Sequence, residues 1–206
     1  MELVLATGNR DKQQEMKAFL QDLGLTIRTL DEFPSAPVVI EDGETCQANA
    51  GKKAREIALF TGALTLADDT GLEVDALGGR PGAFAARYAG THATYADNCR
   101  KLLDELAGVP ADQRGARFLT VVAIADPVSP GEFVEGELQG RIADHCSGGY
   151  GFGYDPVFFV PELGKTLAEL TLDQKNQISH RGQALAKAKN VLKRIVEEMS
   201  GRSAAR

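Results

Sequence analysis

Short apolar runs alternate with amphipathic stretches along this chain, and most runs stop at a polar or glycine-rich cluster. Leu3-Val4-Leu5-Ala6 reads as a buried strand ending in the turn Thr7-Gly8-Asn9. Met16, Phe19, Leu20 and Leu23 then recur at helical spacing from about Asp11, with Gly24 placed to cap the helix. Leu25 to Leu30 alternates as a second strand, and Pro34 and Pro37 interrupt the chain before a helix from about Thr45 to Phe60. Ala50, Ala54, Ile57 and Ala58 form the apolar face of that helix.

Ala63 to Ala67 predicts another buried strand, running into Asp68-Asp69-Thr70-Gly71. After the irregular Gly78-Gly79-Arg80-Pro81-Gly82, Thr94 begins a helix that turns Leu102, Leu103 and Leu106 inward, with Asp97 in its first turn. Ala116 to Ala125 and Glu132 to Ile142 read as a β-hairpin joined at Asp126-Pro127 through Gly131. A glycine-rich loop, Ser147 to Asp155, precedes the apolar Val157 to Val160. The last helix carries Leu185, Ala188, Leu192, Ile195 and Met199, widened by Val191 and Val196. Alternating strands and helices in the first half and a hairpin in the second predict an α/β domain with a mixed sheet. The expected organisation is one domain over residues 1–200 and a frayed tail over 201–206.

Composition narrows the function classes. With 23 Lys+Arg against 29 Asp+Glu, the formal net charge is −6, which argues against duplex binding by bulk charge. The three cysteines, Cys46, Cys99 and Cys146, lack CxxC spacing and point to a reducing, cytoplasmic setting rather than a disulfide framework. No apolar stretch approaches the roughly 18 residues of a membrane span, so neither a membrane nor a nucleic acid is expected as a partner. Glycine, at 22 of 206 residues, exceeds the usual ~7%.

Three clusters carry candidate chemistry. Thr7-Gly8-Asn9-Arg10-Asp11-Lys12 joins a strand to a helix start, where backbone N–H groups and Lys12 can meet a phosphate. Adjacent Asp68 and Asp69 repel unless a cation stands beside them, and carboxylates with water are the usual shell of Mg²⁺ at substrate phosphates. Glu41 or Glu44 would complete such a site, and spacing does not choose between them. In Gly148 to Pro156, aromatics set between glycines offer a face for a planar ring. Lys175, Ser179, His180 and Arg181 gather just before the last helix, where Arg and His can donate to a purine.

Taken together, the segments resemble the inosine/xanthosine triphosphate pyrophosphatase (Ham1-like) family. The matching pieces are Leu5-Ala6-Thr7-Gly8-Asn9 with Lys12, Ala67 to Leu72, and Gly78-Gly79 with Pro81-Gly82 and Ala86-Arg87-Tyr88. Phe152-Gly153-Tyr154-Asp155-Pro156 and Ile178-Ser179-His180-Arg181-Gly182 complete the set, in family order over nearly the whole chain. Two places depart from the family pattern: Thr45-Cys46-Gln47-Ala48-Asn49-Ala50 lacks its aromatic and acidic residues, and Ala83-Phe84-Ala85-Ala86 lacks a serine.

The resemblance implies an elongated mixed sheet with flanking helices and two lobes around a nucleotide-binding cleft. It implies Mg²⁺-dependent hydrolysis of dITP, ITP and XTP to the monophosphate and pyrophosphate, by a homodimer. Carried over by position, Thr7, Gly8, Asn9, Arg10, Asp11 and Lys12 would hold the phosphates, with Lys53 as a further cation. Asp69 would be metal ligand and general base, with Asp68 beside it and Glu41 as second metal partner, while Thr70 would contact substrate. Phe152 would stack on the base, flanked by Gly153 and Tyr154, with Asp155 and Lys175 fixing it and His180 and Arg181 reading the 6-oxo edge. An arginine donor pairs with O6 of hypoxanthine or xanthine but meets the amino group of adenine donor to donor. Polar groups left unpaired in that way cost roughly 1–3 kcal/mol each. Rival readings are a Maf-like nucleotide pyrophosphatase for other bases and a nucleotide-binding sensor without turnover.

Overall fold

A computed structural model describes residues 1–129 and 131–204 of the 206, with side chains through Glu198. The strands are β1 (Glu2–Leu5), β2 (Thr26–Thr29), β3 (Leu64–Val74), β4 (Pro81–Gly82), β5 (Gly115–Ala125), β6 (Glu132–Ile142), β7 (Phe158–Val160) and β8 (Lys165–Thr166). The helices are α1 (Arg10–Leu20), α2 (Cys46–Thr61), α3 (Tyr95–Glu105), α4 (Leu172–Ile178) and α5 (His180–Ala204). The sheet order is β2-β1-β3-β5-β6-β7-β8, with β4 paired to β3. β1 is parallel to both β2 and β3, whereas β4 pairs antiparallel with β3 and β7 with both β6 and β8. The mixed α/β architecture expected from the alternating pattern is therefore observed.

The chain forms two compact units. One comprises residues 1–69, 121–135 and 183–206; the other comprises 70–120 and 136–182. The division falls inside β3, β5 and β6, so each of these strands contributes to both. In the first unit, Leu3 and Leu5 of β1, Leu66 of β3 and Val122 and Ile124 of β5 pack with Met16 and Leu20 of α1 and Leu185, Ala188 and Leu192 of α5. In the second, Leu72 and Val74 of β3, Phe118 of β5 and Ile142 of β6 pack with Cys99 and Leu102 of α3 and with Tyr154 and Phe158. Burying side chains of this size contributes roughly 1.5–3 kcal/mol each.

Several boundaries move for local physical reasons. Asn9, rather than the helix interior, starts α1: its side chain accepts from the N–H groups of Asp11 and Lys12. That helix ends at Leu20, and Leu23 lies in a single tight turn before Gly24. Thr94 caps α3 as expected, in a reciprocal capping box with Asp97. The largest correction concerns Asp68-Asp69-Thr70-Gly71, which the sequence places beyond the end of a strand. β3 continues through all four residues to Val74, because a strand bonded on both sides and lined by cations outweighs the turn preference of Asp and Gly. The expected frayed tail enters only as the backbone of 201–204; residues 205 and 206, and the side chain of Met199, lie outside the description.

Candidate active site

In the first unit, two helices deliver cations to the middle of β3. The Asn9 cap fixes the start of α1, and Thr7 Oγ1 accepts from Asn9 N at 3.2 Å while Thr7 O accepts from Gln13 Nε2 at 2.8 Å. One turn into α1, Lys12 Nζ lies 3.1 and 3.0 Å from the two oxygens of Asp68, whose side chain is wholly buried. Gly8, Arg10 and Asp11 remain exposed at the same turn.

Lys53 on α2 is the hub. Its Nζ donates to Glu41 Oε1 at 2.8 Å and to the backbone oxygen of Asp68 at 2.6 Å, and stands 3.8 Å from Asp69 Oδ1. Glu44, by contrast, is exposed, so of the two glutamates the sequence leaves open, Glu41 is the one drawn to the lysine. Burial alone pulls the Lys53 ammonium down, but Asp68, Asp69 and Glu41 together outweigh it and hold the group above its ordinary value. Asp69 shows the converse balance. Burial raises its carboxyl above the usual range, and Lys53, Lys12 and the Asn49 amide offset only part of that rise.

These oxygens bear on the metal expected from the sequence. Among the described residues no group of three or more His, Cys, Asp and Glu stands ready-made for an ion. Glu41 and Asp69 nevertheless converge on a single ammonium, and both are hard donors. Such a pair suits a Mg²⁺ whose remaining positions come from water and substrate phosphates, the usual arrangement for that ion.

A second group assembles within the other unit. Lys175 Nζ on α4 donates to Asp155 Oδ2 at 2.6 Å, and both side chains are almost completely buried. The same carboxylate oxygen accepts from Phe152 N at 2.8 Å, which ties the aromatic loop to the ion pair. Lys175 Nζ lies 4.6 Å and Arg181 Cζ 5.3 Å from the centre of the Phe152 ring, and Tyr95 approaches it at 5.9 Å. Gly153 O accepts from Cys99 Sγ, and Tyr154 donates its hydroxyl to Ala85 O at 2.8 Å. Cys99 is a core residue whose thiol burial pushes up to about 12, and so is no nucleophile near neutral pH.

His180 and Arg181 do not precede the last helix, as the sequence suggests, but form its first turn. Extended backbone at Ser179 separates α4 from α5, which turns both side chains into the second unit. The His180 ring stacks on Phe118 of β5 at 4.3 Å. Arg181 Nη2 donates to Thr70 Oγ1 at 3.1 Å, and Thr70 shares a 2.7 Å hydrogen bond with Thr120 across β3 and β5. Phe118 and Thr120 are absent from the residues singled out in the sequence, and Asn49 enters there only within the segment Thr45 to Ala50, with no role of its own. Of these only Asn49 left a signal, since it stands in that segment and four residues before Lys53 on one helix face.

The first unit of this mixed-sheet α/β protein brings two helix lysines to the carboxylates of one strand, and the second sets a cation-faced aromatic ring beside a buried ion pair. The chain belongs to the Ham1 family, whose model matches residues 3–191. It is 50% identical over 195 residues to a dITP/XTP pyrophosphatase of Desulforamulus reducens, covering 95% of this chain and 97% of that one. It is 49% identical over 190 residues to a dITP/XTP pyrophosphatase of Geobacter sulfurreducens, covering 92% and 96%. A HAM1 protein from Coxiella burnetii superposes with a TM-score of 0.86 at 43% identity, covering 93% of this chain and 98% of that one.

Proposed function

We propose that this chain hydrolyses dITP, ITP and XTP to the nucleoside monophosphate and pyrophosphate. The observation that carries the reading is the convergence of Lys12 and Lys53 on consecutive Asp68 and Asp69 in mid-strand. That convergence supports a reading in which the lysines neutralise phosphate charge and Asp69 accepts a proton. The relatives named dITP/XTP pyrophosphatase support the substrate class.

Water adds to a phosphorus flanking the α–β bridge, the bond to the bridging oxygen breaks, and the products are the monophosphate and pyrophosphate. Asp69 is the group placed to take the proton from that water. Its buried carboxyl sits above the ordinary range, which makes it a stronger base than an exposed aspartate. Lys12 and Lys53 meet the phosphate oxygens; the Gly8 N–H and the Arg10 side chain extend that contact at the start of α1. Glu41 and Asp69 would hold Mg²⁺, which when bound neutralises charge on the phosphates.

In the second group, Phe152 supplies a face for the purine, Asp155 and Lys175 hold the loop that carries it, and Thr70 steadies Arg181. His180 and Arg181 read the 6-oxo edge. The two groups lie in separate units, and Asp69 and Thr70 are consecutive in the chain. Residues 1–200 act as one catalytic domain, as a homodimer in the cytoplasm. Among the described residues, no helix is long and apolar enough to cross a membrane. Phosphorus NMR of the products of dITP tests the reaction: monophosphate with pyrophosphate is expected, whereas diphosphate with orthophosphate contradicts the proposal.

A further inference from the structure

Asn49 and Lys53 are one turn apart on α2 and reach the same carboxylate from one helix face. Asn49 is completely buried, and all of its amide is engaged. Its Oδ1 accepts from Gly43 N at 2.8 Å, and its Nδ2 donates to Asp69 Oδ2 at 3.1 Å and to Gly43 O at 3.3 Å. The orientation of that amide is fixed by its partners. An ionised carboxylate only accepts, so the nitrogen must face Asp69, and the Gly43 N–H must then find the oxygen.

Gly43 lies in the irregular segment that also carries Glu41, which Lys53 holds. One face of α2 therefore pins that segment twice, through Lys53 to Glu41 and through Asn49 to Gly43, and touches Asp69 with both side chains. The approach is close enough to require glycine: a Cβ at position 43 would stand 2.7 Å from Asn49 Oδ1 and 2.9 Å from Ala48 Cβ.

We infer that Asn49 is a positioning residue for the hydrolysis. It occupies Oδ2 of Asp69, leaves Oδ1 as the oxygen offered to the reacting water, and locks the Glu41 segment in register with it. The inference rests on the reading of Asp69 as proton acceptor. Partners that orient an acting carboxylate in this way typically change activity by about 10- to 100-fold when removed.

The test is a cycle of Asn49→Ala, Asp69→Asn and the double variant, with turnover of dITP in Mg²⁺ and calorimetric binding of the α,β-imido analogue of dITP. Asn49→Ala is expected to lower kcat by about 10- to 100-fold, with KM and analogue affinity changed less than about threefold. In the Asp69→Asn background the same substitution is expected to change kcat less than about twofold, since the oriented group is already gone. A role in folding alone would leave the effects of the two substitutions additive, and so would overturn the inference. Unchanged kcat in Asn49→Ala beside an inactive Asp69→Asn would overturn it while sparing the reading of Asp69. Full activity of Asp69→Asn would remove that reading itself. Should Asn49→Ala not fold, Gly43→Ala carries the test, because its Cβ displaces the amide without deleting it. A lowered kcat with unchanged analogue binding is expected there, and unchanged kcat overturns the inference.

Discussion

Lys175 and Asp155 form an ion pair of 2.6 Å in which neither side chain is more than 4% exposed. The same Asp155 oxygen also accepts from the backbone of Phe152, so the pair holds the aromatic loop rather than merely filling a core. Removing one partner strands a buried charge, at a cost of about 3–5 kcal/mol. Lys175→Met is therefore expected to lower the urea midpoint sharply. The double variant Lys175→Met with Asp155→Asn, which leaves no lone charge, is expected to recover much of that loss. Equal midpoints for the single and double variants would contradict this account of the pair.

The same loop depends on Gly151. Its φ is +73°, and a Cβ there would collide with Asp155 Oδ2. Left-handed backbone costs a substituted residue roughly 1–2 kcal/mol before any collision is counted. Gly151→Ala is expected to lower stability by at least that amount in urea unfolding and to raise KM for dITP, because the displaced carboxylate carries Phe152 with it.

Asp69 illustrates a conflict between stability and chemistry. Its carboxyl is held above the ordinary range chiefly by burial, so the folded state binds the proton more tightly than the unfolded chain does. The stabilising contribution of that proton is complete below the unfolded value and is lost as pH rises through the folded one. At neutral pH the ionised group is thus a burden on the free protein. Asp69→Asn is expected to melt at the same temperature as the parent or higher near pH 7.5, with the difference shrinking as the pH is lowered toward 4. A clearly lower melting temperature at pH 7.5 would contradict the burial argument.

Arg181 offers donors only, so it favours an oxygen at the purine 6 position over an amino group. Glutamine can present either end of its amide. Arg181→Gln is accordingly expected to reduce the ratio of kcat/KM for dITP over dATP by about 1–3 kcal/mol, roughly 5- to 150-fold. Steady-state kinetics with both substrates measure it, and an unchanged ratio would remove Arg181 from base reading.

Periodicity and punctuation made most of the elements legible, because each local preference agreed with the tertiary outcome. Thr94 with Asp97, the apolar stripe of α5 and the turn after β1 are of this kind. Asp68-Asp69-Thr70-Gly71 was misplaced because turn preference is local, whereas the cations that keep these residues in β3 come from α1 and α2. The candidate site was legible as motif residues but not as contacts. Nothing near His180 in sequence announces Phe118, and nothing near Thr70 announces Thr120, since both partners belong to β5 and meet them only once the sheet is formed. Asn49 was hidden differently: it stood in the segment Thr45 to Ala50, but a buried asparagine in a helix carries no periodic signal, and nothing local gave it a role.

The central claim is that Asp69 and its lysines turn over 6-oxopurine nucleoside triphosphates. Pyrophosphate release from dITP, XTP, dGTP, dATP and dTTP in Mg²⁺, measured on the intact chain and on Asp69→Asn, tests it most directly. The account predicts higher kcat/KM for dITP and XTP than for dATP and dTTP, and a loss of about 10²- to 10⁴-fold in the variant, the range for removing a general base. A preference for dTTP, binding without pyrophosphate release, or undiminished turnover by Asp69→Asn would contradict it.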